Sequence, residues 1–175
     1  MKKIIYILLA FAIVSCGSSS SSTGSATETA KAEKPSKKTL KGTWEVTNIR
    51  FVGDKGLYKA FMFDLADSKC FMGSKWVFIS NNNTGKFTLP GGSHCEAKTS
   101  RMVWDFYDTG DGKYSFQFKY VDEKNKPLDA ANRGYRSNID ELTPATMVTR
   151  TATTYEGNPF DVIMTFTKVS EDITL

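Results

Sequence analysis

From Lys113 to Tyr120 the chain alternates with a period of two. Tyr114, Phe116, Phe118 and Tyr120 share one face, and Ser115, Gln117 and Lys119 share the other. Successive side chains of a strand point to opposite sides, so this pattern describes a strand with one aromatic, buried face and one wet face. A sheet with one dry face has to close on itself or cover it with another layer. Seven more segments have strand character, giving the set 42–51, 70–80, 85–89, 98–107, 113–121, 135–142, 145–154 and 160–169. Between them lie Asn81-Asn82-Asn83-Thr84-Gly85, Thr109-Gly110-Asp111-Gly112, Thr143-Pro144 and Glu156-Gly157-Asn158-Pro159, residues that supply tight reversals. Eight short antiparallel strands joined in sequence predict an all-β domain, a barrel or a sandwich. The stretch 57–66 is the one place with room for a helix.

The first residues read differently. Lys2 and Lys3 precede an apolar run from Ile4 to Val14, and Ser15 places a small side chain before Cys16. That is the layout of a secretory signal, and the run falls well short of the roughly 20 residues a spanning helix needs. Ile13-Val14-Ser15-Cys16 resembles a bacterial lipobox. The resemblance implies cleavage after residue 15 and acylation of Cys16, palmitate being one such chain; two or more chains give stable anchoring where one gives only marginal binding. Gly17 after the cysteine, with no acidic cluster in the serine run, fits an outer-membrane lipoprotein facing the periplasm by the same resemblance. Residues 16–38, rich in Ser, Thr, Ala and Lys, lack the apolar area to order themselves and read as a tether for a domain spanning 39–175.

The tether also explains the charge. Of 23 basic and 19 acidic residues, seven basic and two acidic ones precede Gly42, leaving 16 against 17 in the folded part. A nearly neutral domain offers no electrostatic footprint for nucleic acid.

With Cys16 lipidated, Cys70 and Cys95 remain, and outside the cytoplasm such a pair is expected to oxidise. A hairpin centred on Asn82-Asn83 gives partner numbers summing to about 165, which sets Cys70 opposite Cys95. His94 is the sole histidine, so a zinc framework is poor, and the disulfide removes any Cys–His nucleophile. Asp105, Asp108 and Asp111 surround a glycine turn, where aspartate commonly serves turn hydrogen bonds. Gly91-Gly92 lacks the following lysine and helix of a phosphate cradle. The sequence therefore predicts no metal, no cofactor and no enzyme.

Gly42-Thr43-Trp44, at the head of the first of eight strands, resembles the Gly-x-Trp motif of lipocalins, and Ser74 to Gly85 is similar to lipocalin-like lipoproteins of Bacteroidota. The likeness covers residues 40–169. It implies an eight-stranded antiparallel up-and-down barrel with Gly42 and Trp44 at a closed floor. Where lipocalins carry Thr-Asp-Tyr this chain has Leu142-Thr143-Pro144, and where an arginine covers the tryptophan it has Lys168; Arg150 lies mid-strand.

In such a barrel the connection 53–69 reaches the open end, and its Leu57, Tyr58, Phe61, Met62, Phe63 and Leu65 can form an apolar lid, either plug or gate. Bulky parity points Trp76, Phe78, Trp104, Phe106, Tyr114, Phe116, Phe118, Tyr120, Met164 and Phe166 inward. The candidate ligand-lining set is Phe61, Phe63, Trp76, Phe78, Trp104, Phe106, Phe116, Phe118, Met164 and Phe166. Two readings follow: a module binding a small apolar or amphipathic molecule, or a protein-interaction module (an enzyme inhibitor or accessory subunit) with a filled barrel.

Overall fold

The computed structural model describes residues 34–53 and 59–173, all within one unit, Lys31–Leu175. The signal segment, Cys16, most of the tether, Leu57 and Tyr58 lie outside the described residues. Eight strands close into an antiparallel barrel: β1 (Gly42–Gly53), β4 (Lys75–Ile79), β5 (Thr84–Leu89), β6 (Lys98–Asp108), β7 (Tyr114–Tyr120), β8 (Tyr135–Leu142), β9 (Thr146–Tyr155) and β10 (Asn158–Ser170). Each pairs with its neighbour in sequence, and β1 closes the ring by pairing with both β10 and β4. Between β1 and β4 lie a short hairpin, β2 (Phe61–Met62) with β3 (Ala66–Asp67), and a 3₁₀ turn, Ser68–Phe71. One helical turn, α1 (Lys37–Leu40), precedes β1. No helix among the described residues is long and apolar enough to cross a membrane.

Alternation builds the barrel, and two slips in it are absorbed by bulges. Trp44 and Val46 point inward, but so do Ile49 and Phe51, one residue out of phase. A register shift between Val46 and Asn48 takes up the extra residue at Thr47. On β8 a shift between Ile139 and Glu141 does the same and turns Asp140 outward. There Arg150 clasps Asp140 (2.6 Å) and Asp161 (2.8 Å), tying β8, β9 and β10 together on the outer wall.

Four sequence expectations are corrected. The strand placed at 70–80 begins only at Lys75, because Cys70 belongs to the 3₁₀ turn. The β4–β5 ladder pairs Lys75 with Thr88 and Trp76 with Phe87, sums of 163 rather than 165. The Cys70–Cys95 disulfide forms (Cα–Cα 5.4 Å), but it joins the 3₁₀ turn to the β5–β6 loop instead of bridging facing strand residues. Finally, the described part of the stretch with room for a helix is the β2–β3 hairpin.

The floor is closed by side chains the motif brings together. Gly42 has φ +119°, and a Cβ there would lie 2.5 Å from the Ser170 carbonyl, so only glycine fits. Trp44, fully buried, donates its Nε1 to the Leu40 carbonyl at 2.8 Å. Lys168 lies over the Trp44 ring at 5.0 Å and donates its Nζ to the Thr39 carbonyl (3.0 Å) and to Glu171 (2.8 Å). A lysine thus stands over the ring where the family resemblance implies an arginine; its stem is buried against the indole and its head finds oxygens at the rim. Lys37 and Lys38, placed in the tether by composition, belong to α1, and Lys37 pairs with Asp105 at 2.8 Å.

Candidate functional site

The lower and middle barrel is packed aromatic on aromatic. Trp76 stacks on Phe87 at 4.2 Å and meets Phe118 and Phe166 edge-on at 5.9 and 5.5 Å. Phe78 meets Trp104 and Phe116 edge-on, both at 5.6 Å. Offset and edge-on contacts at these separations are the favourable ones for rings. Of the candidate lining residues, Trp76, Phe78, Trp104, Phe116, Phe118, Met164 and Phe166 are all buried in this cluster, and Phe106 packs half-buried at its margin. The three indoles are each satisfied: Trp76 donates to Ser74 Oγ and Trp104 to the Thr84 carbonyl, as Trp44 does to Leu40.

The mouth is built otherwise. On the β8–β9 side the inward-facing positions hold hydroxyls: Ser137 opposite Phe116, Thr149 opposite Met164, Thr151 opposite Val162 and Thr153 opposite Phe160. Ser137 and Thr151 share a hydrogen bond of 2.7 Å. Thr151, Thr153, Ile49 and Phe51 remain half-buried, unlike the residues below them. From Phe118, Tyr120 and Tyr135 round to Ser137, Thr151 and Thr153, no inward-facing side chain of this half carries a formal charge.

Over the aromatic side of the mouth sits the tip of the β2–β3 hairpin. Leu65 N–H closes the turn on the Met62 carbonyl (3.0 Å), and Phe63 and Asp64 take φ of +56° and +51°. Two consecutive left-handed residues make the hairpin turn that normally carries Asn-Gly. For phenylalanine that backbone costs about 1–2 kcal/mol. The ring is held in return by three edge-on contacts, to Phe118 (5.1 Å), Phe71 (5.5 Å) and Tyr135 (5.9 Å). Tyr120 Oη donates to the Phe63 carbonyl at 3.0 Å, and Tyr135 Oη donates to Asp64 at 3.2 Å. Arg133, itself paired with Asp129, reaches Asp64 at 3.9 Å. Burial pushes the Tyr120 phenol well above its ordinary value, with the neighbouring Tyr135 and Asp64 adding to the effect. Tyr135 is raised too, by desolvation first and then by the charge and hydrogen bond of Asp64.

Phe61, expected among the lining residues, is 67% exposed on the far side of the hairpin. It borders a 240 Å³ recess beside the Cys70–Cys95 bridge, which ties the root of the hairpin to the β5–β6 loop. A 370 Å³ recess under the β7–β8 loop is lined by Tyr120, Leu128, Arg133 and Tyr135. A surface hollow of 640 Å³ runs along the outer wall of β6–β8 past Asp105, Gln117, Lys119 and Arg136. Its polar groups already have partners: Asp105 has Lys37, Arg136 has Gln117 and the Tyr107 ring, and Lys119 has Asn132.

Tyr120, Tyr135, Ser137, Thr151 and Thr153 were not selected from the sequence as lining residues. Tyr120 carried the right parity; the threonines read as ordinary strand formers, and nothing local marks a hydroxyl as inward. Of the three aspartates read as turn residues, two act as such: Asp108 accepts from Gly110 N–H, and Asp111 from Thr109 Oγ1 and Lys113 N–H; Asp105 instead lies within β6 and pairs with Lys37.

No protein-family model and no curated protein sequence matches the chain. Among solved structures it is similar to bovine odorant binding protein in complex with a selenium-containing odorant, at 13% identity over 78% of this chain and 74% of that one, TM-score 0.39. It is also similar to a biogenic amine-binding protein, at 12% identity over 82% and 70%, TM-score 0.47. A third is the amine binding protein of Rhodnius prolixus in its tryptamine complex, at 11% identity over 82% and 69%, TM-score 0.45. These likenesses concern backbone outline, and no residue role is carried over from them.

Proposed function

We propose that this chain is a lipid-anchored protein of the bacterial envelope whose lipocalin-like barrel binds a small apolar or amphipathic molecule at its mouth. One observation carries the reading: the wall of the mouth, aromatic on one side and hydroxyl-lined on the other, has no formal charge among its described inward-facing side chains, and a hairpin tip inserts a single ring against its aromatic side. Binding sites for small molecules are mostly apolar with a few placed polar groups, which is the composition of this mouth. The described chain enters the barrel through α1 at the floor, the end opposite the mouth. Cys16 would then hold the protein on the outer membrane, facing the periplasm.

The test has two arms. Full-length protein purified from envelopes is extracted and retained compounds are identified by mass spectrometry, with the neutral dye N-phenyl-1-naphthylamine as a direct binding probe. A stoichiometric apolar compound, or saturable dye binding, supports the reading; a barrel that retains nothing and binds no dye removes it. Cys16→Ser is expected to abolish labelling by an alkyne fatty acid and release the protein from membranes.

The second reading, a protein-interaction module, is favoured by the solid packing below the mouth. It predicts a stoichiometric envelope partner bound equally well by protein that binds no dye.

A further inference from the structure

Phe63 combines a backbone that disfavours it with surroundings that receive its ring. Its φ of +56° is a conformation that glycine or asparagine takes readily and a bulky side chain does not. Yet its ring is boxed by Phe71, Phe118 and Tyr135, and its carbonyl receives the Tyr120 hydroxyl. A hairpin needing only a tight turn would place a small residue here. The tip instead presents to the barrel an aromatic ring with an acceptor oxygen beside it, in a box without formal charge.

We propose that Phe63 is a built-in surrogate occupying a subsite for an uncharged aryl compound with a hydrogen-bond acceptor next to its ring, and that such a compound binds by displacing the hairpin tip. This rests on the ligand-binding reading above and narrows its ligand class. The ring's three partners supply the aryl box. The Tyr120 phenol, a donor near neutral pH like any phenol, already points at the acceptor oxygen of residue 63. A charged ligand would have to shed its hydration against Phe71 and Phe118, neither of which carries a charge. The tip is free to lift because its outer ties are exposed: Asp64 and Arg133 are 65% and 68% exposed, and such pairs hold weakly. The root stays put, with Ala60 and Met62 buried and Cys70 bonded to Cys95.

The decisive experiment is a ¹⁹F NMR titration of the whole protein with 4-fluoroacetophenone, with 1-ethyl-4-fluorobenzene as the probe lacking an acceptor and 4-fluorobenzylammonium as the charged one. Phe63→Gly removes the ring and suits the positive φ, so the turn is retained. It is expected to bind the ketone at least ten-fold tighter than wild type. The ketone is expected to exceed the ethyl probe several-fold, and adding Tyr120→Phe is expected to erase that preference while leaving the ethyl probe unchanged. The ammonium probe is expected not to bind.

No gain in Phe63→Gly, or equal binding of ketone and ethyl probes, overturns the proposal. Should that variant not fold, Phe63→Asn, which also tolerates the positive φ, decides by the same criteria. Wild-type protein carrying 4-fluorophenylalanine at position 63 gives a reading independent of both: its resonance is expected to move to the solvent position at ketone saturation, and a fixed resonance overturns displacement. If N-phenyl-1-naphthylamine binds while no variant gains affinity for the ketone, the subsite fails and the ligand-binding reading stands. If no probe binds any variant, both fail.

Discussion

The floor and the mouth of this barrel solve the same problem in opposite ways. At the floor, the Trp44 ring is covered by Lys168, and the polar groups of both meet fixed partners: Trp44 with Leu40, Lys168 with Thr39 and Glu171. At the mouth, a ring is supplied from outside the barrel wall, on a hairpin of two residue pairs whose backbone resists it. The floor stores stability in contacts that cannot be lost singly. The mouth holds a contact that can be undone by moving one turn. A rigid scaffold carrying a weakly held closing element is the arrangement in which local opening costs little of the global stability.

The sharpest way to break this contrast is to damage the floor side. Trp76→Ala removes a fully packed indole from Phe87, Phe118 and Phe166. It is expected to cost about 3–5 kcal/mol, read as a fall in the urea midpoint. If it costs no more than a change at the hairpin tip, the lower barrel is not the stable half. Next comes the bridge. Replacing Cys70 and Cys95 together by serine opens a link across 25 residues and is expected to cost about 3 kcal/mol. Hydrogen exchange should then quicken in the hairpin and the β5–β6 loop while β1 and β10 stay protected; uniform quickening would mean that mouth and floor open as one.

Two smaller effects concern single polar groups at either end. Lys168→Ala uncovers Trp44 and strips an acceptor's partner from Thr39, for an expected loss of about 1–2 kcal/mol and a red-shifted tryptophan emission, whereas Lys168→Arg should retain most of both. At the mouth the corresponding lever is pH. Tyr120 has its folded pKa raised above the unfolded value near 10, so above that pH the unfolded chain releases a proton that the folded one keeps. Stability from this group is fully present below about pH 10 and declines above it by about 1.4 kcal/mol per pH unit. Tyr120→Phe is expected to flatten that decline; an unchanged slope would place the phenol in water.

Much of the barrel was readable because alternation is a local signal. Tyr114 to Tyr120 announces its two faces residue by residue, and β8 begins and ends where the pattern does. Gly42 and Trp44 were legible through a motif whose reason is steric at the glycine and packing at the tryptophan. What escaped depends on partners distant in sequence. The Cys70–Cys95 pairing was anticipated from compartment and count, but its geometry was not, since a 3₁₀ turn consumes the residues that a straight strand would have used. The hydroxyl side of the mouth was hidden because a threonine pointing in and one pointing out look alike in a strand. The hairpin was hidden because Phe63 violates turn chemistry; Met-Phe-Asp-Leu carries no Gly or Asn, and only the box formed by Phe71, Phe118 and Tyr135 makes the turn hold.

That violation supplies the finest test of the contrast, and the smallest expected effect. Phe63→Gly deletes three edge-on ring contacts, each worth about 0.5–1.5 kcal/mol beyond area burial, and opens space beside Phe118. The same substitution relieves the positive φ, about 1–2 kcal/mol in its favour, and adds back some unfolded-chain entropy as a cost. The relief offsets only part of that loss, so the quantity tested is the difference between two variants, about 1–2 kcal/mol, with Phe63→Ala more destabilising than Phe63→Gly. At a relaxed, negative-φ position the order would be reversed, because glycine is then the costlier residue. Urea midpoints for the two variants therefore report the backbone at one residue: alanine above glycine would mean that the tip sits unstrained, and that floor and mouth do not differ in the way the barrel is held.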